Sequence, residues 1–167
     1  ATNRGITQAV YDTYRRSVGA GRKSVATIAA DEVTAIYKAR YWALINGDAL
    51  PAGVGYVVFD GAVNSGPAQS AKWLQRALGL NKADGLIGPE TLAAVAAVDD
   101  HDLLIARILQ IRERFLRALK TWKRFGRGWR NRLAQVLAVG QAWARGSVGP
   151  EVVHDADGAA KARATDA

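Results

Sequence analysis

The chain has 167 residues, 49% of them apolar, with no cysteine, no methionine and a net charge of +8 from 23 basic and 15 acidic side chains. That length suits one domain with a short tail, and that apolar share can fill a core, so wholesale disorder is excluded. The lack of cysteine rules out a disulfide framework, a thiolate metal site and a cysteine nucleophile, and no apolar run approaches the roughly 20 residues that span a bilayer.

Taken in chain order, the pattern predicts helices nearly throughout. Thr7 can cap a helix over 8–18, which Gly19 and Gly21 would end. A second helix begins near Asp31, with Val33, Ile36, Tyr37, Tyr41 and Leu44 recurring every three to four residues. Residues 46–55, holding Gly47, Pro51 and Gly53, read as a loop, and 56–64 is apolar around almost its whole circumference, the pattern of a buried helix.

Pro67 suits the first position of a helix over 67–78 that Gly79 closes, and after a turn-rich link over 80–88 Pro89 starts another. A long helix is predicted over 102–122. Leu104, Ile108, Ile111, Phe115, Leu119 and Trp122 would form its apolar stripe, widened by Ile105, Leu109 and Leu116, with Arg107, Arg114, Arg117 and Lys120 opposite. Phe125-Gly126-Arg127-Gly128 would break it, and Trp129, Leu133, Val136, Leu137, Gly140 and Trp143 would make the inner face of a last helix. From Gly146 the composition loses its period and reads as a tail, giving an all-α fold of one domain.

The charge is local. Residues 107–132 hold ten Lys or Arg against one acid, Glu113, for a local net of +9, so the remainder sums to −1. Such a band is either a solvated helix face or the footprint of a polyanionic partner: nucleic acid, anionic lipid or an acidic wall polymer.

Few residues pattern as catalytic. Asp99, Asp100, His101 and Asp102 put acids around one of two histidines, but neighbours in sequence just before a helix point in different directions, and acids there cap free amides; no metal is expected. His101 and His154 sit in no nucleophile motif. Asp60 and Asn64 lie four apart on one face of an otherwise apolar helix. A buried acid there needs partners, so the pair either borders a polar cleft or bonds to backbone and to basic residues such as Arg107 and Arg112. Tyr37, Tyr41 and Trp42 offer either core or aromatic surface for sugar rings or nucleobases, and Trp42 falls off the apolar stripe, which leaves it the freest of the three to face a ligand or a second layer.

Three phrases occur in order: Thr2-Asn3-Arg4-Gly5-Ile6-Thr7; Phe59-Asp60-Gly61-Ala62-Val63-Asn64-Ser65-Gly66-Pro67; and Leu74-Gln75 followed by Asp84-Gly85-Leu86-Ile87-Gly88-Pro89-Glu90-Thr91-Leu92. Together they resemble glycoside hydrolase family 108, the bacterial and phage N-acetylmuramidases that include endolysin-type and secretion-activator proteins. Phe125-Gly126-Arg127-Gly128-Trp129 and Arg132 look like that family's C-terminal peptidoglycan-binding portion. The resemblance implies a lysozyme-like helical domain over 1–145, of which about 67–145 is the peptidoglycan-binding portion, and a tail over 146–167.

It also implies that the catalytic glutamate belongs to a Glu-Gly-Gly-Tyr motif preceding the Thr2-Asn3 phrase. No such motif occurs here; the first glutamate is Glu32. The general acid is therefore expected upstream of Ala1, and the domain is read as lacking its N-terminal catalytic segment; the competing expectation is a chain that kept binding and dropped catalysis. On the resemblance, Thr2 and Asn3 would border the catalytic loop, Thr7 would position that loop or a water, and Asp60 with Asn64 would line the sugar cleft, Asp60 being a candidate second carboxylate, while Tyr41 and Trp42 are further candidates for substrate binding.

The function so implied is hydrolysis of peptidoglycan glycan strands without a cofactor. The expected protein is a monomer acting in the periplasm or wall, after export or release as a phage lysis protein. The alternative is a non-catalytic peptidoglycan-binding or phage structural module. A nucleic-acid-binding domain is motivated only by the basic band and is not expected.

Overall fold

The computed structural model describes residues 1–146 and the backbone of an antiparallel strand pair, Val153–His154 with Ala160–Lys161. Apart from that pair, the tail expected beyond Gly146 lies outside the described residues. The chain divides into two compact units, Ala1–Leu44 and Ile45–Ala167. Helices dominate both, as the composition and periodicity predict.

The first unit opens with a minimal hairpin: β1 (Thr2–Asn3) pairs with β2 (Ile6–Thr7), Thr2 opposite Thr7 and Asn3 opposite Ile6. Its two turn residues, Arg4 and Gly5, both take positive φ, +50° and +76°, the left-handed pair that a two-residue hairpin needs. Thr7 then caps α1 (Gln8–Ser17), its hydroxyl accepting from the Val10 amide at 3.3 Å. After a 3₁₀ turn at Val25–Thr27 comes α2 (Ala30–Tyr37), and Ile6, Tyr11, Val25, Ile28 and Ile36 form the core of this unit.

The chain does not leave α2 as a plain helix. It runs on as a π-helical turn over Lys38–Trp42 and a 3₁₀ turn over Ala43–Ile45. The wider turn breaks the 3.6-residue period that put Leu44 on the buried stripe. Leu44 is 63% exposed and its neighbour Ile45 is fully buried.

In the second unit, α3 (Ala52–Ser65) and α4 (Pro67–Ala77) pack on α6 (His101–Arg117) and α7 (Trp122–Ala144), with α5 (Pro89–Ala96) between α4 and α6 in sequence. Residues 52–55, expected as loop, are the first turn of α3. Gly53 is there for close approach: a Cβ on it would run into the Gly140 carbonyl and the Ala144 backbone, so α3 and α7 cross at glycine on both sides, Gly140 in turn facing Val57. Composition alone reads such a glycine as a loop signal, whereas here it is a helix contact.

The second correction is the break after α6, which falls over 118–121 rather than at Phe125-Gly128. Gly126 lies inside α7 beneath the Trp122 indole, where a Cβ would come within 2.7 Å of ring carbons, so it accommodates a ring instead of ending a helix. The buried row of α6 is Leu104, Ile105, Ile108, Leu109, Arg112 and Leu116: it keeps Leu104, Ile108 and the three residues that widen the predicted stripe, adds Arg112, and leaves Phe115 and Leu119 more than a third exposed.

Candidate functional site

The first unit gathers Thr2, Asn3 and Thr7 into one small structure. Asn3 donates both amide hydrogens, to the carbonyls of Val25 and Ala26, each at 3.1 Å, which ties the hairpin to the 3₁₀ turn. The Tyr37 hydroxyl donates to the Arg4 carbonyl at 3.0 Å and sits where a Cβ on Gly5 would be, 2.6 Å away. Tyr41 stacks obliquely on Tyr37 with ring centres 5.5 Å apart, so Tyr37 couples the π-helical turn to the hairpin. Thr2 and Thr7 face each other across the strands, both exposed, and Tyr41 and Trp42 are half-buried on the π turn.

Behind the hairpin lies a carboxylate with every bond assigned. Glu32 accepts from the Tyr11 hydroxyl at 2.6 Å, from Arg15 at 2.8 Å and from the Ala29 amide at 3.2 Å. The Tyr11 bond first, then Arg15 and the backbone amide, hold its carboxyl down at about 2. Tyr11 is pushed up, chiefly by burial and then by this same bond.

The second unit holds the other committed carboxylate. Asp60, on α3, is 4% exposed; one oxygen accepts from the equally buried Arg112 of α6 at 2.6 Å, and the other takes a two-pronged bond from Arg132 of α7. Three helices thus meet at one acid. Arg132 is raised, first by that bond to Asp60, and Tyr56, one turn before Asp60, is raised by burial and then by the Asp60 charge. Arg112 is the partner that the basic band offered; Arg107 is exposed and takes no part. Asn64 is exposed, and its amide folds back onto the backbone carbonyl of Asp60 at 2.8 Å, not onto the carboxylate.

A third cluster explains the Asp84-to-Thr91 phrase. Gln75 is buried, and its amide donates to Asp84 at 2.8 Å, to the Leu86 carbonyl at 3.0 Å and to Thr91 at 3.1 Å, while its carbonyl accepts from the Gly85 amide at 2.9 Å. Asp84 is held below the usual carboxylate range by the Gln75 bond and then by the Leu86 amide. Gly85 has φ +86° and lies against Ala68, so the motif is a polar knot that fixes the turn before α5. The turn is legible in the sequence; its anchor is not. Gln75 could have been found by asking what a lone buried amide on α4 would bond. At the start of α6, Asp100 caps the helix, accepting from the Leu103 amide at 2.9 Å, the role that position predicts.

Comparison with known proteins bears on these clusters directly. Residues 1–66 match the family model described as Glycosyl hydrolase 108, and residues 69–134 match the model described as Predicted Peptidoglycan domain. The solved structure described as Brucella abortus SagA is 37% identical and superposes with a TM-score of 0.73, over 86% of this chain and 81% of that one. The chain belongs to the glycosyl hydrolase 108 family. No curated protein matches. Family membership makes the biochemical class that of a peptidoglycan hydrolase, an N-acetylmuramidase with a peptidoglycan-binding region, and its all-α fold lysozyme-like. The first family model takes in the Thr2-to-Thr7 hairpin, Glu32, Asp60 and Asn64; the second takes in Gln75, its turn and both arginines that hold Asp60.

Proposed function

We propose that the chain supplies the glycan cleft and the wall-binding surface of a muramidase that cleaves between N-acetylmuramic acid and N-acetylglucosamine. The hairpin carries the reading: Thr2, Asn3 and Thr7 form a braced, exposed edge, with Tyr41 and Trp42 in the same unit. In this reading exposed threonine hydroxyls bond sugar hydroxyls, Asn64 offers an amide that both donates and accepts, and residues 1–145 work as one muramidase unit with 67–145 gripping the wall.

The chemistry requires a carboxylic acid that protonates the leaving oxygen and a water or carboxylate on the opposite face of the sugar. Asp60 was the candidate for that second group. Both its oxygens are held by guanidinium groups in a buried clamp, which favours a positioning role for α3 over proton transfer. Glu32 is held likewise by Tyr11 and Arg15. In this reading the general acid is neither Asp60 nor Glu32.

Action on the wall places the working site there; among the described residues no helix is long and apolar enough to cross a membrane. We take the route to the wall to be export or release during phage lysis, and the protein to act as a monomer. The test is to digest purified sacculi with the protein expressed from its whole reading frame and to identify the reducing ends. New N-acetylmuramic acid ends are expected. N-acetylglucosamine ends or free stem peptides would overturn the assignment.

A further inference from the structure

On the side where α4 lies against α6, an open groove of about 420 Å³ is lined by Trp73, Arg76, Ile111, Arg114 and Phe115, and it runs on into a second of about 330 Å³ that shares Arg76, Ile111 and Arg114 and adds Arg107. Three exposed guanidinium groups therefore rim one continuous groove. None of them takes part in the ion pairs of the described residues; those pairs use other arginines. Arg76 and Arg114, in the last turns of α4 and α6, also suit helix C-termini, but Arg107 projects from the middle of α6, where no such complement is needed.

The floor is apolar, with Ile111 and the partly exposed Phe115 above and Trp73 packed beneath. Trp73 is fully buried, meets Phe115 edge-on with ring centres 5.4 Å apart, and its indole Nε1–H finds no acceptor among the described residues. A buried donor without an acceptor is uncommon enough to need a reason. Arg112, committed to Asp60, lies over the Trp73 ring at 5.7 Å, so the floor is also positive from beneath.

We infer that this groove binds the free carboxylates of peptidoglycan stem peptides. The inference rests on the muramidase reading above and adds to it the place and the chemistry of wall attachment: an oxyanion held by arginine forks over an aromatic floor, rather than a sugar ring stacked on an aromatic. All six residues fall in the region that matches the peptidoglycan model. A carboxylate suits the guanidinium fork, which makes two parallel bonds to it. The apolar floor suits the short aliphatic side chains beside each stem carboxylate. A phosphate of a wall-attached polymer would satisfy the same forks, so the test separates the two.

Sacculi stripped of phosphate polymers with hydrofluoric acid are divided, and in one half the carboxylates are converted to neutral amides by carbodiimide and methylamine, leaving the glycan intact. Sedimentation of the 167-residue chain with each half gives its affinity. The expected result is at least tenfold weaker binding to the amidated half, and at least tenfold weaker binding to the untreated half by the triple variant Arg76→Gln, Arg107→Gln, Arg114→Gln. The triple Arg16→Gln, Arg22→Gln, Lys23→Gln, which removes the same charge from exposed positions of the first unit, should stay within threefold of the parent.

Equal binding to both halves overturns the groove while leaving wall binding standing. Equal loss in the two triples overturns it as well, by showing diffuse charge. Strong binding to sacculi before the hydrofluoric acid step, with none to either stripped half, reassigns the oxyanion and overturns the stem carboxylate. No binding to sacculi either before or after that step overturns the wall-binding reading itself, and the groove's ligand with it.

Discussion

The two units each bury effort in one carboxylate, and they do it differently. Glu32 sits at the edge of a small core, held by a phenol, one arginine and a backbone amide, and its charge has been stabilised until its carboxyl ionises at about 2. Asp60 sits inside a helical bundle between two arginines from different helices, one of them as buried as itself. The first arrangement is a local brace within about 20 residues of chain, and acid can switch it off. The second is a long-range clamp, joining residues 52 and 72 positions apart, where removing one partner strands a charge. Both acids are held by donors that the fold itself supplies.

The largest expected effect breaks the clamp. Asp60→Ala leaves Arg112 buried without a counter-ion, which should cost about 3–5 kcal/mol and lower the calorimetric Tm by roughly 10 °C or more. Arg132→Gln, at a half-exposed partner, should cost only about 1 kcal/mol. Similar losses for the two variants would mean that the clamp is not asymmetric. Between these falls Gln75→Leu, which strips the turn before α5 of its anchor and leaves the Gly85 amide unpaired, at about 1–3 kcal/mol.

How legible these features were follows their range. The cap at Thr7, the proline starts of α4 and α5 and the Asp100 cap all follow from one or two residues and were readable. The π turn at Lys38–Trp42 was not, because nothing in the spacing of Tyr37, Tyr41 and Leu44 marks an extra residue in a turn. Gly53 and Gly126 misled because a glycine that admits a neighbouring helix or ring has the same letter as one that ends a helix. At the site, the face shared by Asp60 and Asn64 was visible, and so was the need for a basic partner. That the partners are Arg112 and Arg132, and that Asn64 bonds only to the backbone, depends on how α6 and α7 pack, which no local pattern encodes.

The brace can be sharpened by pH. A carboxyl that ionises at about 2 when folded against 4.5 ordinarily stabilises the fold above that ordinary value, and the stabilisation is lost as pH falls from 4.5 toward 2. Thermal melts of the parent should therefore steepen their decline over that interval, and Glu32→Gln should start lower at pH 7 and flatten across it. Parallel curves would show that Glu32 is not the group responsible. The smallest stability effect is at Asn64, where Ala removes one exposed hydrogen bond at a cost near 1 kcal/mol or less. If Asn64 lines the cleft, glycan turnover by the protein expressed from its whole reading frame should nonetheless fall several-fold; unchanged turnover would leave it a helix-surface residue.

Whether the two carboxylates are architecture or chemistry is decided most directly by giving residues 1–167 purified sacculi and following bound protein and new N-acetylmuramic acid ends in the same sample. With Glu32 and Asp60 both committed to the fold, the chain should sediment with the wall and release no new ends. Release of such ends, abolished by Glu32→Gln or by Asp60→Asn in a variant that still melts cooperatively, would show that one of the two carboxylates performs the cleavage.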